Sequence, residues 1–164
     1  VADLIAHSCQ TKAYQHIHAY GQYGKWFPGL LEEKGVHLAE NPQLDIREYI
    51  NNMSDCYAAA DIVISRAGAI SLSEIQATGK AAILIPSPNV AENHQYHNAM
   101  ALVNRNAAKI IEEKDLTGEK LCNVVDSLCN TPGMMAELGE NARAMAILDT
   151  NERIYKVIRE VLGQ

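Results

Sequence analysis

The sequence predicts an α/β protein, a Rossmann-like parallel sheet with helices on both faces. Short apolar runs alternate along the chain with segments of helical periodicity, which is the order that a parallel sheet requires. The runs Asp61–Ser65 and Ala81–Pro86 are rich in β-branched and small apolar residues, as expected of strands buried on both faces. A length of 164 residues allows one domain with a substantial core, so residues 1–164 are expected to form a single domain.

The elements follow from apolar periodicity and from capping residues. Strands are predicted at Ala13–Ala19, Leu44–Tyr49, Asp61–Ser65, Ala81–Pro86 and Ala108–Ile111. Helices are predicted at Val1–Gln10, Trp26–Lys34, Met53–Ala60, Leu116–Cys129, Met134–Leu148 and from Asn151 onward. Gly79 is expected to end the helix that follows Asp61–Ser65. Thr131 is expected to be an N-cap, with Pro132 at the first position of the helix that continues through Met134–Leu148.

Composition limits the functional classes. A formal net charge of −6 argues against a nucleic-acid-binding surface. No apolar run approaches the roughly 20 residues of a membrane span, and no signal peptide opens the chain, so a cytoplasmic protein is expected. The cysteines show no CxxC spacing and are expected to be reduced. His16 and His18 share one face of a predicted strand, but the sequence places no third metal ligand, so histidines packed on a sheet are the favoured interpretation. No metal or cofactor is expected.

The stretch Ser65–Ala77 carries the strongest functional signal. It joins a predicted buried strand to a helix through Arg66-Ala67-Gly68-Ala69, and a helix N-terminus with small residues is suited to binding an anion. Glu74 lies about one turn further on, where a carboxylate can accept hydrogen bonds from the vicinal diol of a ribose. The alternative is that Gly and Ala are present only because strand and helix pack closely. A second polar loop, Pro86–Asn98, follows the next strand and favours a nucleotide site.

Several groups of residues share their order and spacing with a known family. They are Tyr49-Ile50-x-x-Met53, Ala60-Asp61-x-x-Ile64-Ser65-Arg66-Ala67-Gly68-Ala69, Ser73-Glu74, Pro86-Ser-Pro-Asn, and Asn93-His-Gln95 with Asn98-Ala99. From about Leu44 to Glu113 the chain closely resembles the C-terminal domain of MurG-type glycosyltransferases. Those enzymes transfer N-acetylglucosamine from its uridine diphosphate (UDP) donor to lipid I during peptidoglycan synthesis.

This resemblance implies the C-terminal half of a two-domain GT-B glycosyltransferase. It implies that the chain binds UDP-N-acetylglucosamine, while the lipid I site, the expected general base and the face that docks on the inner side of the cell membrane belong to an N-terminal domain that the chain lacks. The Gly-Gly-Ser loop with which the family's domain opens is also missing. The implied substrate-binding residues are Ile50, Met53, Ser65, Arg66, Gly68, Ala69, Ile70, Glu74, His94 and Gln95. No catalytic residue is assigned.

Several of the implied residues have an alternative role. Ile50 is placed against the uracil ring, partly through its backbone, and Met53 in the same pocket, yet either could be an ordinary core residue. Arg66 could contact a phosphate or hold the turn by bonding carbonyl groups. The resemblance places His94 and Gln95 against the sugar hydroxyls, and the Gln95 amide, which both donates and accepts, suits a sugar diol. At the level of function, the alternatives are half of a sugar-nucleotide 2-epimerase, a UDP-sugar-binding subunit that needs a separate partner chain, and a structural module.

Overall fold

The computed structural model describes residues 1–163, which form eight helices and five strands. In chain order the helices are α1 (Ala2–Thr11), α2 (Phe27–Glu33), α3 (Met53–Ala59), α4 (Ala69–Thr78), α5 (His94–Val103), α6 (Gly118–Asn130), α7 (Met134–Ala144) and α8 (Thr150–Val161). The strands are β1 (His16–Ala19), β2 (Leu44–Arg47), β3 (Ile62–Ser65), β4 (Ala81–Leu84) and β5 (Lys109–Ile110). The chain divides into two compact units. The first comprises Val1–Ala60 and Ile111–Met134, and the second comprises Asp61–Ile110 and the residues from Met135.

The first unit is built on two parallel strands. β1 pairs with β2 in a register that sets His16 opposite Leu44 and Ala19 opposite Arg47. Leu44 and Ile46, which alternate along β2, pack against a core supplied mainly by α1 and α2. This core contains the buried side chains of Ala2, Ile5, Phe27, Leu31 and Val36. Asp45 and Arg47 therefore extend from the opposite face of β2.

The second unit is built on three parallel strands in the order β3-β4-β5. The central strand β4 is buried along its whole length, which explains its uniformly apolar sequence. Helix α7 approaches the turn at Gly79 so closely that a Cβ atom on Gly139 would lie 2.3 Å from the carbonyl oxygen of Gly79. Only glycine at position 139 allows this packing. Helix α8 lies exposed to solvent throughout.

The predicted α/β class, the five strands and the parallel pairing are confirmed, although every strand is shorter than predicted. Helix α6 begins two residues later than predicted, at Gly118, and α7 ends at Ala144 rather than Leu148. The capping prediction for Thr131 was wrong. The Thr131 N–H bonds to the carbonyl oxygen of Ser127 and ends α6, and Gly133 (φ 80°) turns the chain before α7 begins.

Within residues 1–163, no helix combines the length and the apolar character that crossing a bilayer requires.

Candidate functional site

The turn between β3 and α4 leaves the N-terminus of α4 without a side-chain cap. Ser65 ends β3; its hydroxyl donates to the carbonyl oxygen of Arg66 at 2.9 Å, and its own carbonyl accepts from the N–H of Ile85 at 2.9 Å. Gly68 occupies the N-cap position with an extended backbone (φ −72°, ψ 147°), and no side chain accepts a hydrogen bond there from the first turn. The first N–H groups of α4, which begins at Ala69, are therefore suited to an external acceptor.

Gly68 is not required by the fold of this turn. Its φ lies in a region open to any residue, and a Cβ atom added to it would meet no atom within 4 Å. A side chain here would occupy the space beside the start of α4. The absence of a side chain keeps that space open to a ligand.

Two side chains hold the turn from outside. Arg66 donates from Nη1 to the carbonyl oxygen of Ile85 at 3.2 Å, which links the turn to the end of β4. Asn98 on α5 donates from Nδ2 to the carbonyl oxygen of Ala67 at 3.2 Å. Of the two roles considered for Arg66, the carbonyl contact is present. The positioning role of Asn98 was missed, although Asn98 belongs to the quoted motifs, because its partner is distant in sequence.

Glu74 and Ile70 share one face of α4, since they lie four residues apart. Ile70, in the first turn, is 77% exposed, and Glu74 is half-buried. Glu74 lies five residues beyond Ala69, which is about 7.5 Å along the helix axis. This axial spacing is close to the distance that separates a pyrophosphate from its ribose, and the ribose role of Glu74 stays a prediction.

The β4–α5 loop positions His94 and Gln95. The Nδ1 atom of His94 lies 2.9 Å from the carbonyl oxygen of Ala91, so Nδ1 carries the proton and the exposed ring presents Nε2 as an acceptor when neutral. The Oε1 atom of Gln95 accepts the N–H of Ser87 at 2.9 Å. This bond uses one lone pair of the oxygen to hold the loop, and the amide nitrogen of Gln95 can donate to a hydroxyl.

Ile50 and Met53 belong to the first unit and lie at the carboxyl end of β2. Met53 is the first residue of α3 and is 42% exposed, which is uncommon for a methionine that only fills a core. Ile50 is half-buried in the β2–α3 connection. Among the hydrogen bonds described for residues 1–163, none uses the peptide N–H or carbonyl of Ile50. Its peptide can therefore give one donor and one acceptor to a ligand.

The two β1 histidines each have a partner inside the protein. His16 Nε2 lies 2.5 Å from the hydroxyl of the buried Ser8, which in turn donates to the carbonyl oxygen of Ile5 at 3.0 Å. The ring of His18 packs on Phe27, with centroids 4.4 Å apart. Burial lowers the pKa of both histidines, and that of His18 to about 4. Within the described residues, no three His, Cys, Asp or Glu side chains come together as metal ligands would.

Parallel strands that alternate with helices and end in small-residue turns and polar loops define a Rossmann-like α/β protein. Residues 3–157 match the glycosyltransferase family 28 C-terminal domain, and the chain belongs to that family. This result confirms the resemblance found in the sequence and the expected glycosyltransferase fold.

Individual relatives are consistent with the assignment of the chain to this family. A protein of Thermoanaerobacter sp. (strain X514) is 45% identical over 135 residues, which are 79% of this chain and 37% of the relative. Its name is UDP-N-acetylglucosamine--N-acetylmuramyl-(pentapeptide) pyrophosphoryl-undecaprenol N-acetylglucosamine transferase. A protein of the same name from Acetivibrio thermocellus is 36% identical over 162 residues, 99% of this chain and 43% of the relative.

A solved structure supports the same family assignment. The crystal structure of Acinetobacter baumannii MurG matches 97% of this chain and 44% of that protein, with a TM-score of 0.78 and 25% sequence identity. The chain thus spans less than half the length of the relatives it matches.

Proposed function

We propose that residues 1–164 are the donor-binding half of an inverting N-acetylglucosaminyltransferase of peptidoglycan synthesis. In this proposal the chain binds UDP-N-acetylglucosamine, and the sugar passes to undecaprenyl-pyrophosphoryl-N-acetylmuramoyl-pentapeptide, lipid I. The observation that carries the proposal is the uncapped start of α4 at Gly68, held open by Arg66 and Asn98 in a chain that belongs to glycosyltransferase family 28.

Each part of the donor molecule is assigned to the candidate residues whose chemistry suits it. The N–H groups at Gly68 and Ala69 bind the pyrophosphate, and Glu74 accepts both hydroxyl protons of the ribose. The peptide of Ile50 pairs with the edge of the uracil ring, and Met53 lines that pocket. His94 and the amide nitrogen of Gln95 contact the sugar hydroxyls. Ser65, Arg66 and Ile70 complete the surroundings of the diphosphate.

This arrangement stabilises the leaving group. A hydroxyl of the acceptor attacks the anomeric carbon, the bond from that carbon to the phosphate oxygen breaks, and UDP leaves with the extra negative charge. The positive end of α4 at Gly68-Ala69 stabilises that charge without a metal ion. The base that takes the hydroxyl proton, the lipid I site and the contact with the inner membrane surface are assigned to a further domain, because the relatives are more than twice as long as the regions that this chain matches.

A titration series tests the proposal. Uridine, UMP, UDP and UDP-N-acetylglucosamine are titrated into the 164-residue chain by calorimetry. UDP is expected to bind more tightly than UMP, and UMP more tightly than uridine, because the pyrophosphate adds charge-assisted hydrogen bonds. Equal affinities along the series, or no saturable binding of UDP at millimolar concentration, would overturn the proposal.

Reconstitution tests the reaction itself. The chain is combined with the separately produced N-terminal region of the Thermoanaerobacter relative and supplied with donor and lipid I. Transfer of the sugar to lipid I supports the transferase, whereas formation of the 2-epimer of the donor without transfer would identify an epimerase.

A further inference from the structure

The loop between β2 and α3, residues 48–52, is fixed at its start by backbone bonds and carries the peptide of Ile50, which has no hydrogen-bond partner among residues 1–163. The N–H of Tyr20 donates to the carbonyl oxygen of Arg47 at 3.0 Å, and the N–H of Gly21 donates to that of Glu48 at 2.9 Å. These two bonds extend the pairing of the two chains by two residues beyond β1 and by one residue beyond β2. They end at Glu48, two residues before Ile50.

A side-chain clamp connects the start of this loop with its end. Arg47 Nε donates to Asp45 Oδ1 at 2.5 Å, and its Nη2 donates to Asp45 Oδ2, so the two side chains form a bidentate pair on one face of β2. The remaining Nη1 of Arg47 donates to Asn52 Oδ1 at 2.8 Å. Asn52 is the N-cap of α3 and donates from Nδ2 to Asp55 Oδ2 at 3.2 Å. The clamp, defined as Asp45, Arg47 and Asn52, thus spans the loop that contains Ile50.

The clamp affects the orientation of the loop more than the stability of the protein. Its side chains are partly exposed, and exposed pairs contribute little to stability. The guanidinium is planar and uses three nitrogens at once, so it fixes the angle between the end of β2 and the start of α3. The Ile50 peptide between these two points is then held in one orientation.

Peptide orientation matters because uracil and cytosine differ at the edge that a peptide reads. Uracil carries a donor at N3 between two carbonyl oxygens, whereas cytosine carries an acceptor at N3 and a donor at its 4-amino group. A fixed peptide that offers its carbonyl oxygen to N3 accepts a hydrogen bond from uracil and faces a lone pair in cytosine. A peptide free to rotate or slide could pair with either base.

We propose that Arg47, held by Asp45 and Asn52, is a positioning residue that sets selectivity for uracil over cytosine by fixing the Ile50 peptide. This inference rests on the proposed function and adds to it a determinant of base selectivity. Arg47 itself does not contact the nucleotide.

The test compares the affinities of UDP and CDP for the 164-residue chain and for an Arg47→Met variant, which keeps an unbranched stem and removes the guanidinium. The parent is expected to prefer UDP. The variant is expected to lose about fivefold or more of that preference, the size of one weakened base-edge hydrogen bond. Asn52→Asp retains the acceptor for Nη1 and should keep the preference. Thermal unfolding followed by circular dichroism reports whether each variant folds.

A matched control removes a similar ion pair elsewhere. Arg153→Met in α8 breaks an exposed pair in which Arg153 Nε lies 2.8 Å from Asp149 Oδ1, and it should leave the UDP preference unchanged. If Arg47→Met does not fold, the UDP and CDP affinities of Asn52→Ala test the inference instead. This variant removes only the contact with Arg47 Nη1 and the link to Asp55.

The outcomes separate this inference from the proposed function. A fall in UDP affinity larger than that in CDP affinity supports the clamp. Equal loss of affinity for both nucleotides, or an unchanged ratio of the UDP and CDP affinities, overturns the role of the clamp in selectivity but not the proposed UDP site. A parent that binds UDP and CDP equally also overturns it. A parent that binds neither overturns the proposed function together with the inference.

Discussion

Asn98 and Ala67 are joined by a hydrogen bond from the side-chain amide to the backbone carbonyl, 3.2 Å long, across 31 residues of sequence. Ala67 is fully buried and precedes the N-cap of α4, while Asn98 lies on α5. The start of α4 is therefore held by the neighbouring helix rather than by a capping side chain of its own. We therefore expect this bond to help position the N–H groups of α4 for a ligand.

Asn98→Ala is expected to reduce both stability and binding. Loss of the bond to Ala67 should lower the free energy of unfolding by about 1 kcal/mol, the usual net value of such a bond. UDP affinity should fall as well, because the turn is less well fixed. Urea denaturation and calorimetry measure the two effects. Asn104→Ala, at the C-terminus of α5, is the control and should change neither. Reduced stability with unchanged UDP affinity would contradict a positioning role for Asn98.

Substitution of Gly68 separates folding from binding. A Cβ atom at this position meets nothing within 4 Å, so Gly68→Ala and Gly68→Val should both fold, with a small loss of stability because alanine and valine are poorer N-cap residues than glycine. UDP affinity should fall from glycine to alanine to valine as the side chain fills the space beside the N–H groups of α4. Gly29→Ala, at another position where an added Cβ meets nothing, is the control and should bind UDP as the parent does. Equal binding by the folded Gly68→Val variant would place the pyrophosphate elsewhere.

Local signals in the sequence predicted the elements well where one residue had one dominant preference. Gly79 follows the last turn of α4 and adopts the left-handed conformation (φ 64°) that ends helices, as predicted. Thr131 was misinterpreted, because a threonine before a proline is typical of a helix start, yet here it closes α6 and Gly133 makes the turn. Thr117, which caps α6 by accepting the N–H of Lys120 at 3.0 Å, could have been found from its position ahead of an acidic first turn.

The contacts that fix the candidate site could not be predicted in the same way. Periodicity indicates which face of an element is apolar, but it does not indicate which distant backbone group a polar side chain meets. Arg66 meets Ile85 and Asn98 meets Ala67 only after the strands pair and α5 packs against the sheet. The clamp of Asp45, Arg47 and Asn52 was not anticipated either, although Asp45 and Arg47 lie two residues apart on one strand, a spacing that places them on one face.

Acid should destabilise the first unit through His18. Burial lowers the pKa of His18 from its ordinary 6.5 to about 4, so between these values the unfolded chain binds a proton that the folded chain does not. The free energy of unfolding should therefore fall as pH drops below about 6.5 and level off below about 4. Burial lowers the pKa of His16 in the same direction.

Urea denaturation at about pH 7.5 and about pH 5 measures this effect, since stability changes with pH where the two states bind different numbers of protons. His18→Leu keeps an apolar partner for Phe27 and removes the titrating group, so it should lose less stability between the two pH values than the parent. His97→Gln, which removes an exposed histidine from α5, should follow the parent. A His18→Leu variant with the parent's full pH dependence would contradict this explanation.

Glu74→Gln tests the ribose contact at the residue that best distinguishes a nucleotide site from a close-packed turn. The variant keeps the shape of the side chain but loses its charge and half of its acceptor capacity. UDP affinity should fall by roughly tenfold or more, since hydrogen bonds to a charged group are worth about 1.5–3 kcal/mol each and 1.4 kcal/mol is one decade. Glu140→Gln, an exposed position on α7, is the matched control and should bind UDP as the parent does.

A comparison of UDP with its 2′,3′-dideoxy analogue identifies the group that Glu74 contacts. The parent should prefer UDP, because the carboxylate accepts both hydroxyl protons of the ribose, and Glu74→Gln should lose most of that preference. A general loss of folding or of phosphate binding would lower the affinity for both compounds by the same factor and leave their ratio unchanged. An unchanged ratio in a variant that unfolds at the parent's temperature would therefore show that Glu74 does not hold the ribose, whatever the drop in UDP affinity.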